Sequence, residues 1–286
     1  MPRKERPPVT RIRQSVTWRR EMRKETEQLL RALTEADGVP GFEQEVRKLM
    51  RAHLEPLGEI EVDRLGSIVG KKTGTADSPR IMLPAHMDEI GFMVKLITDK
   101  GFVKFSPLGG WWSQVLLAQR LRIKTRKGDV VGVLGAKPPH LLKNDERNKV
   151  AEMKDMYLDI GAKDKKAAEA MGVRPGDPIV PVSTYERLNG TKCLMAKAWD
   201  DRAGCAVIIE ALRQLQRVKH PKPCTAPAPS RKRWGSRARR RLPPSSSRTW
   251  HWCWMSALLP TRRASTTMRP RARLARDRRF ASATAA

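Results

Sequence analysis

Two short constellations in the 286-residue chain carry side chains that could do chemistry together, His86-Met-Asp-Glu-Ile-Gly91 and Trp199-Asp-Asp-Arg202. In the first, an imidazole ends an apolar run, and Asp88 two residues on is spaced to accept its other ring N–H, as a carboxylate does for a metal-bound histidine. In the second, Asp200 and Asp201 precede an amphipathic stretch, where the positive end of a helix favours an anion and where a metal ligand is well placed. Each has a bland counterpart. A His-x-Asp pair is commonly a surface or satisfied core histidine, and two aspartates before a helix commonly act as its N-cap. Glu89 reads equally as a stray surface carboxylate or as a group supporting Asp88.

Hydrophobic spacing indicates the elements that must hold these residues. Leu29, Leu30 and Leu33 share one stripe of a helix over Met22 to Ala36, which Gly38-Val-Pro-Gly41 ends. A second helix over about Phe42 to Leu57 turns Val46, Leu49, Met50 and Leu54 inward, and short strands follow around Ile60 to Val62 and Ser67 to Lys71. Arg80 to Ala85 reads as a buried strand, so His86 falls at a strand's C-terminal end, where open α/β sheets build their sites. From about Phe92 to Pro181 the pattern changes to short strands, at Gly101 to Phe105, Val115 to Thr125, Asp129 to Leu134, Met156 to Ile160 and Asp177 to Val182. Two helices, Lys143 to Met153 and Lys163 to Met171, interrupt them. Cys193 to Lys197 is expected to return as a strand leading into Trp199-Asp-Asp-Arg202, and a helix then turns Cys205, Ile208, Ile209, Leu212 and Leu215 to one face. The fold class is therefore α/β, with a sheet and helices interrupted by a β-rich insert. The organisation is a basic extension over 1–21, α/β parts over 22–92 and 183–222, an insert over 93–182 and an Arg-rich tail over 223–286.

A net charge of +28 would ordinarily suggest nucleic acid or an anionic membrane as partner. Its distribution argues otherwise. Residues 221–286 hold 17 Lys plus Arg against the single acid Asp277, and residues 1–21 hold 7 against 2, leaving 34 against 27 for residues 22–220. The middle is an ordinary globular composition between two anomalous ends. No apolar run approaches the roughly 18 residues of a membrane span, and the basic N-terminus has no apolar stretch behind it, so a cytoplasmic location is expected. The cysteines, Cys193, Cys205, Cys224 and Cys253, form no CxxC pair and read as buried or incidental thiols.

Together with their neighbours the two constellations are more specific. Ala36-Asp-Gly-Val-Pro-Gly41, Asp63-Arg-Leu-Gly-Ser-Ile68, Ala85-His-Met-Asp-Glu-Ile-Gly91, Gly109-Gly-Trp-Trp112, Lys137-Pro-Pro-His-Leu-Leu142, Leu158-Asp-Ile-Gly161, Gly176-Asp-Pro178 and Lys197-Ala-Trp-Asp-Asp-Arg202 run in order along residues 22–220. This stretch resembles the dinuclear-metal aminopeptidases that assemble as tetrahedral dodecamers, the glutamyl and deblocking group that has also carried an endoglucanase label. The resemblance implies a metal-dependent aminopeptidase acting on peptide substrates, with a metallo-aminopeptidase sheet and a dimerisation domain as the insert. Carried over residue by residue, His86 binds one metal, Asp200 bridges both, and Asp88 orients His86. The cofactors implied are two divalent ions, zinc or cobalt, with manganese also compatible with imidazole and carboxylate donors. The Asp200–Asp201 peptide is expected to be cis. Trp111 and Trp112 read as packing residues at a domain junction, and Lys137-Pro-Pro-His140 as a rigid loop with His140 a weak metal candidate.

The resemblance also implies groups that this chain does not show: a strand followed by Glu-Glu-Val-Gly, whose first glutamate is the general base and second a metal ligand, then a strand ending in a ligand aspartate, then a ligand histidine. In their place stand Arg231-Lys-Arg-Trp-Gly235 and Trp250-His-Trp-Cys-Trp-Met255. The genetic code makes the second run informative. It must be written TGG CAY TGG TGY TGG ATG, and from the last base of the first codon it reads GCA YTG GTG YTG GAT, or Ala-Leu-Val-Leu-Asp, an apolar strand ending in aspartate. With AGG for Arg231 and Arg233 and AAG for Lys232, the same shift turns Arg231 to Gly235 into Glu-Glu-Val-Gly. The expectation is a change of reading frame near Pro223, a non-native C-terminal part, loss of order beyond His220, and a chain inactive for want of its general base. The 21 residues before Met22 read as upstream of a misplaced start, or as a genuine basic arm. Two other functions stay open: nucleic-acid binding through the Arg-rich tail, a disfavoured partner because the tail has no recognisable binding motif, and a noncatalytic scaffold. Homo-oligomerisation through the insert is expected, and no membrane partner.

Overall fold

The computed structural model describes residues 22–76, 80–141, 149–220 and 222–229, together with the backbone of 250–252. The basic arm, Arg231 to Gly235, most of the Arg-rich tail and residues 143–148 of the expected helix Lys143 to Met153 lie outside these. Of its described residues, 149–153, only Met153 is helical, at the start of a short 3-10 turn over Met153–Asp155.

Two α-helices open the described chain, α1 (Lys24–Glu35) and α2 (Gln44–Leu54), the second running into a 3-10 turn at Glu55–Leu57 where Pro56 sits. The strands β1 (Glu59–Val62), β2 (Ile68–Lys72) and β3 (Arg80–Met82) follow. The chain then enters a closed six-stranded barrel. It is built from β4 (Gly91–Ile97), β5 (Val103–Leu108), β6 (Arg120–Thr125), β7 (Gly128–Gly135), β8 (Tyr157–Asp159) and β9 (Pro178–Pro181), in the order β4-β5-β8-β7-β6-β9. Helix α3 (Lys165–Ala170) lies between β8 and β9 and is capped by Asp164, whose carboxylate accepts from Ala167 N at 2.7 Å.

Beyond the barrel, β10 (Glu186–Arg187) and β11 (Leu194–Met195) form a two-stranded ribbon. This corrects the expected strand Cys193 to Lys197, which contributes only two residues and pairs locally instead of joining the main sheet. Likewise only Arg120–Thr125 of the expected strand Val115 to Thr125 is extended, because a 3-10 turn occupies Ser113–Val115. Helix α4 (Trp199–Leu215) comes next, then β12 (Cys224–Ala228) and β13 (Trp250–Trp252).

The main sheet has the order β1-β2-β12-β3-β13, antiparallel from β1 to β12 and parallel from β12 to β13. Its apolar core joins Leu29 and Leu33 of α1, Val46, Met50 and Leu54 of α2, and Cys205, Ile208, Ile209 and Leu212 of α4 to Ile68 and to Ala226 and Ala228 of β12. The helical faces read from sequence spacing are those that are buried. A separate core fills the barrel, where Phe92, Val94, Phe105, Leu121, Ile123, Leu134 and Ile179 point inward on alternating positions. No helix among the described residues is long and apolar enough to cross a membrane.

Order does not stop at His220, contrary to expectation. Residues 223–229 accept a ladder of backbone bonds: Ile81 N to Pro223 O, Leu83 N to Thr225 O, Ala85 N to Pro227 O and Met87 N to Pro229 O, between 2.9 and 3.2 Å. A parallel strand edge is satisfied by any backbone that can run extended, and the small side chains of Ala226 and Ala228 fit the core. Pairing is therefore open to a sequence with little strand propensity.

Candidate metal centre

This ladder carries the chain past β3 and delivers His86 at the sheet's C-terminal edge. There its ring lies between two carboxylates. Nδ1 is 3.0 Å from Asp88 Oδ1 and 3.2 Å from the Asp88 carbonyl oxygen, and Nε2 is 3.0 Å from Asp200 Oδ1. Burial pushes the imidazole toward its neutral form, but the Asp88, Asp201 and Asp200 carboxylates outweigh it and raise the pKa above the ordinary value. A carboxylate can only accept, so the ring donates through Nε2 to Asp200 Oδ1 and through Nδ1 on the Asp88 side, and a bound ion would take the place of the Nε2 proton.

The second carboxylate comes from the first turn of α4, which is not regular helix. Ala198 is left-handed (φ 56°), Asp200 and Asp201 depart from helical dihedrals, and the Asp200–Asp201 peptide is cis, the geometry the resemblance implies. The two aspartates are thereby divided. Asp200 is largely exposed and meets His86, whereas Asp201 accepts from Gly204 N at 3.1 Å and serves as the cap. A side chain at Gly204 would collide with the Asp201 carboxylate, so the turn needs glycine there. Burial raises the pKa of Asp201, partly offset by His86. Cys205 donates through Sγ to His86 O, and burial pushes its thiol up to about 12, so it is no nucleophile.

Beneath the pair lies a cluster of charges. Arg202, fully buried, donates to the carbonyls of Met87, Leu33 and Ala36, and Glu89 Oε1 is 3.9 Å from its Nη2. Glu89 Oε1 accepts from Lys197 Nζ at 2.9 Å and from Gly38 N at 3.0 Å, while Glu89 Oε2 is buried without a hydrogen-bond partner. Lys197 Nζ also donates to Asp37 Oδ1 at 2.6 Å, and Asp37 Oδ2 lies 3.1 Å from both Arg122 and Lys124 of β6. Glu89, read as equally a surface or a supporting group, is thus buried. Lys197, Arg202 and Asp37 lie within the family-like motifs, yet nothing in their spacing indicates burial.

Trp111 stacks on Phe92 with centroids 4.9 Å apart and donates to Gly91 O. Trp112 is exposed and does not pack as expected. His140 lies in a short 3-10 turn, Pro139–Leu141.

One imidazole backed by a carboxylate, with a second carboxylate at its free nitrogen, fits part of a divalent metal centre. Among the described residues no group of three or more His, Cys, Asp or Glu is gathered to hold an ion. A mixed sheet packed with helices, interrupted by a barrel, with such a pair at strand and helix ends, is the arrangement that the family resemblance leads one to expect. The sequence profile of M42 glutamyl aminopeptidase matches residues 66–231, and the chain belongs to that family. It is 39% identical over 191 residues to the glutamyl aminopeptidase of Lactococcus lactis subsp. cremoris, covering 65% of this chain and 54% of that one. Against the lysyl aminopeptidase of Pyrococcus furiosus it is 34% identical over 192 residues, covering 66% and 54%. The chain thus spans about half the length of the curated relatives it matches. Among solved structures, a TET aminopeptidase from a marine sediment thaumarchaeon superposes with a TM-score of 0.69 at 44% identity, over 71% of this chain and 58% of that one. The Pyrococcus horikoshii TET1 peptidase, described as assembling into a tetrahedron or a large octahedral shell, gives 0.63 at 30% over 71% and 60%.

Proposed function

We propose that the chain derives from a metal-dependent aminopeptidase that removes N-terminal residues from peptides in the cytoplasm, and that His86 and Asp200 are metal ligands with Asp88 orienting His86. The observation that carries this reading is the convergence of His86 Nε2 and Asp200 Oδ1 at 3.0 Å, with Asp88 at the other ring nitrogen. Two divalent ions, zinc or cobalt, would polarise the scissile carbonyl and acidify a water in the complete centre. The chain's own residues do the preparatory work. Asp88 fixes the tautomer and plane of His86, Asp201 caps α4, and the turn at Asp200 directs its carboxylate to the imidazole.

We further propose that the remaining ligands and the general base belong to a second reading frame entered near Pro223, so that this chain is inactive. Pro227 supports this reading. It lies inside β12, paired with Val69 of β2 on one side and accepting from Ala85 N on the other, where proline removes a ladder donor and is seldom tolerated. The relatives' assembly into closed shells supports a homo-oligomer formed through the barrel, whose outer face exposes Val131 and Val133.

The test is hydrolysis of amino-acid anilides, with metal content, in this chain and in a frame-repaired one. Activity is expected in the repaired chain alone, and its loss in that chain on His86→Ala or Asp200→Asn. A repaired chain that binds metal yet hydrolyses nothing rejects the function, and coding DNA whose codons cannot be read in the shifted frame rejects the frame change.

A further inference from the structure

Lys197 is a lysine with almost no exposed surface. It bridges two carboxylates, Asp37 and Glu89, that are themselves buried. Its position in the chain matters. Three residues later comes Asp200, and three residues before Glu89 comes His86, so the Lys197–Glu89 contact staples together the two segments that bring the proposed ligands to one point. Arg202 repeats the connection from the other side of Asp200 by donating to the carbonyl of Met87, the residue between His86 and Asp88. Asp37 extends it outward to Arg122 and Lys124 on barrel strand β6.

Removing one member of such a cluster is costly, but the cluster as a whole need not hold the fold better than apolar packing would. Charges taken out of water lose hydration that their mutual attraction recovers only with good geometry, and apolar side chains of similar volume often serve as well or better. What ion pairs supply and apolar packing does not is direction, because each donor selects one acceptor. Glu89 Oε1 takes both Lys197 and the backbone N–H of Gly38, and Gly38 O in turn accepts from Glu89 N at 2.9 Å. The segment after His86 is thereby held in one register against the loop after α1.

We infer that Lys197 is a positioning residue which, with Glu89, Asp37 and Arg202, fixes the spacing of His86 and Asp200 and ties it to the seating of the barrel. This rests on the reading of His86 and Asp200 as a metal-holding pair, and it is tested with and without metal on the full chain. Cobalt(II), titrated and followed by its visible absorption, is the probe. Lys197→Met is expected to weaken its binding about tenfold, at the lower end of what loss of a supporting partner costs a metal site. Lys197→Arg should restore most of the affinity, and Ile208→Val, a core change outside the cluster, should leave it unchanged. Hydrogen–deuterium exchange supplies the metal-free measurement. Segments 85–91 and 198–204 should lose protection in Lys197→Met and in the milder Asp37→Asn, while barrel segment 103–108 keeps its own.

Unchanged exchange in 85–91 and 198–204 overturns the inference, as does a uniform rise across the whole chain. Selective loss of protection combined with cobalt affinity within twofold of the unsubstituted chain also overturns it. If the unsubstituted chain binds no cobalt, or binds it equally well as His86→Ala, the metal-centre reading falls and the exchange pattern alone decides the positioning role.

Discussion

Arg202 sits where its side chain would be hardest to replace. Its guanidinium is wholly buried, its donors are spent on the carbonyls of Met87, Leu33 and Ala36, and Glu89 faces it. Arg202→Met would orphan those carbonyls and leave Glu89 with less compensating charge, and is expected to cost about 3–5 kcal/mol in urea unfolding. Asp37 makes the same point through pH. Burial alone would raise its carboxyl, but Lys197 and Lys124 outweigh burial and hold it below the ordinary carboxylate value. A carboxylate depressed in the folded state stabilises above its unfolded pKa of about 4 and loses that contribution as pH falls through the folded value. The urea midpoint should therefore fall below pH 4, and Asp37→Asn should flatten that part of the profile.

Caps and turns decide the elements around the site. Helix α3 has only six residues, too short to hold by propensity, and its Asp164 cap satisfies a backbone donor at the first turn. Asp164→Ala is expected to lower stability by about 1 kcal/mol, measured from thermal unfolding. Gly204 matters more, because a methyl group there meets the Asp201 carboxylate and must displace the cap that lets Asp200 face His86. Gly204→Ala should cost about 1–3 kcal/mol, and proton NMR should show the His86 ring signals shifted. Strand β12 illustrates the opposite case, an element whose backbone bonds to 81–87 hold it although its residues, Cys224-Thr-Ala-Pro-Ala228, have little claim to be a strand.

For the molecule as a whole, the barrel is the part with its own complete core. Its outward residues Val131 and Val133 are about half exposed and stand on β7 beside the inward Leu134. In the oligomer proposed above, Val133→Asp is expected to shift sedimentation toward the monomer with little change in the barrel's unfolding midpoint, because the side chain is about half exposed and outside the core. Phe92→Ala, by contrast, empties space next to Phe105 and Trp111 and should cost about 3–5 kcal/mol.

Periodicity alone was enough to place α1, α2 and α4 and their buried faces, because the helical repeat brings Leu29 and Leu33, or Ile208, Ile209 and Leu212, to one side whatever they pack against. The pairing of His86 with Asp200, separated by 114 residues, was legible only through the motifs that carry the family resemblance. Other features belong to the tertiary structure. Nothing local marks Glu89, Lys197 or Asp37 as buried, since a charged residue is buried only when distant partners compensate it, and those partners lie up to 160 residues away. Nor could side-chain preference foresee β12. Its place is decided by the unpaired N–H groups of residues 81–87 beside it, which need only backbone carbonyls, and these every residue supplies, including Pro223, Pro227 and Pro229.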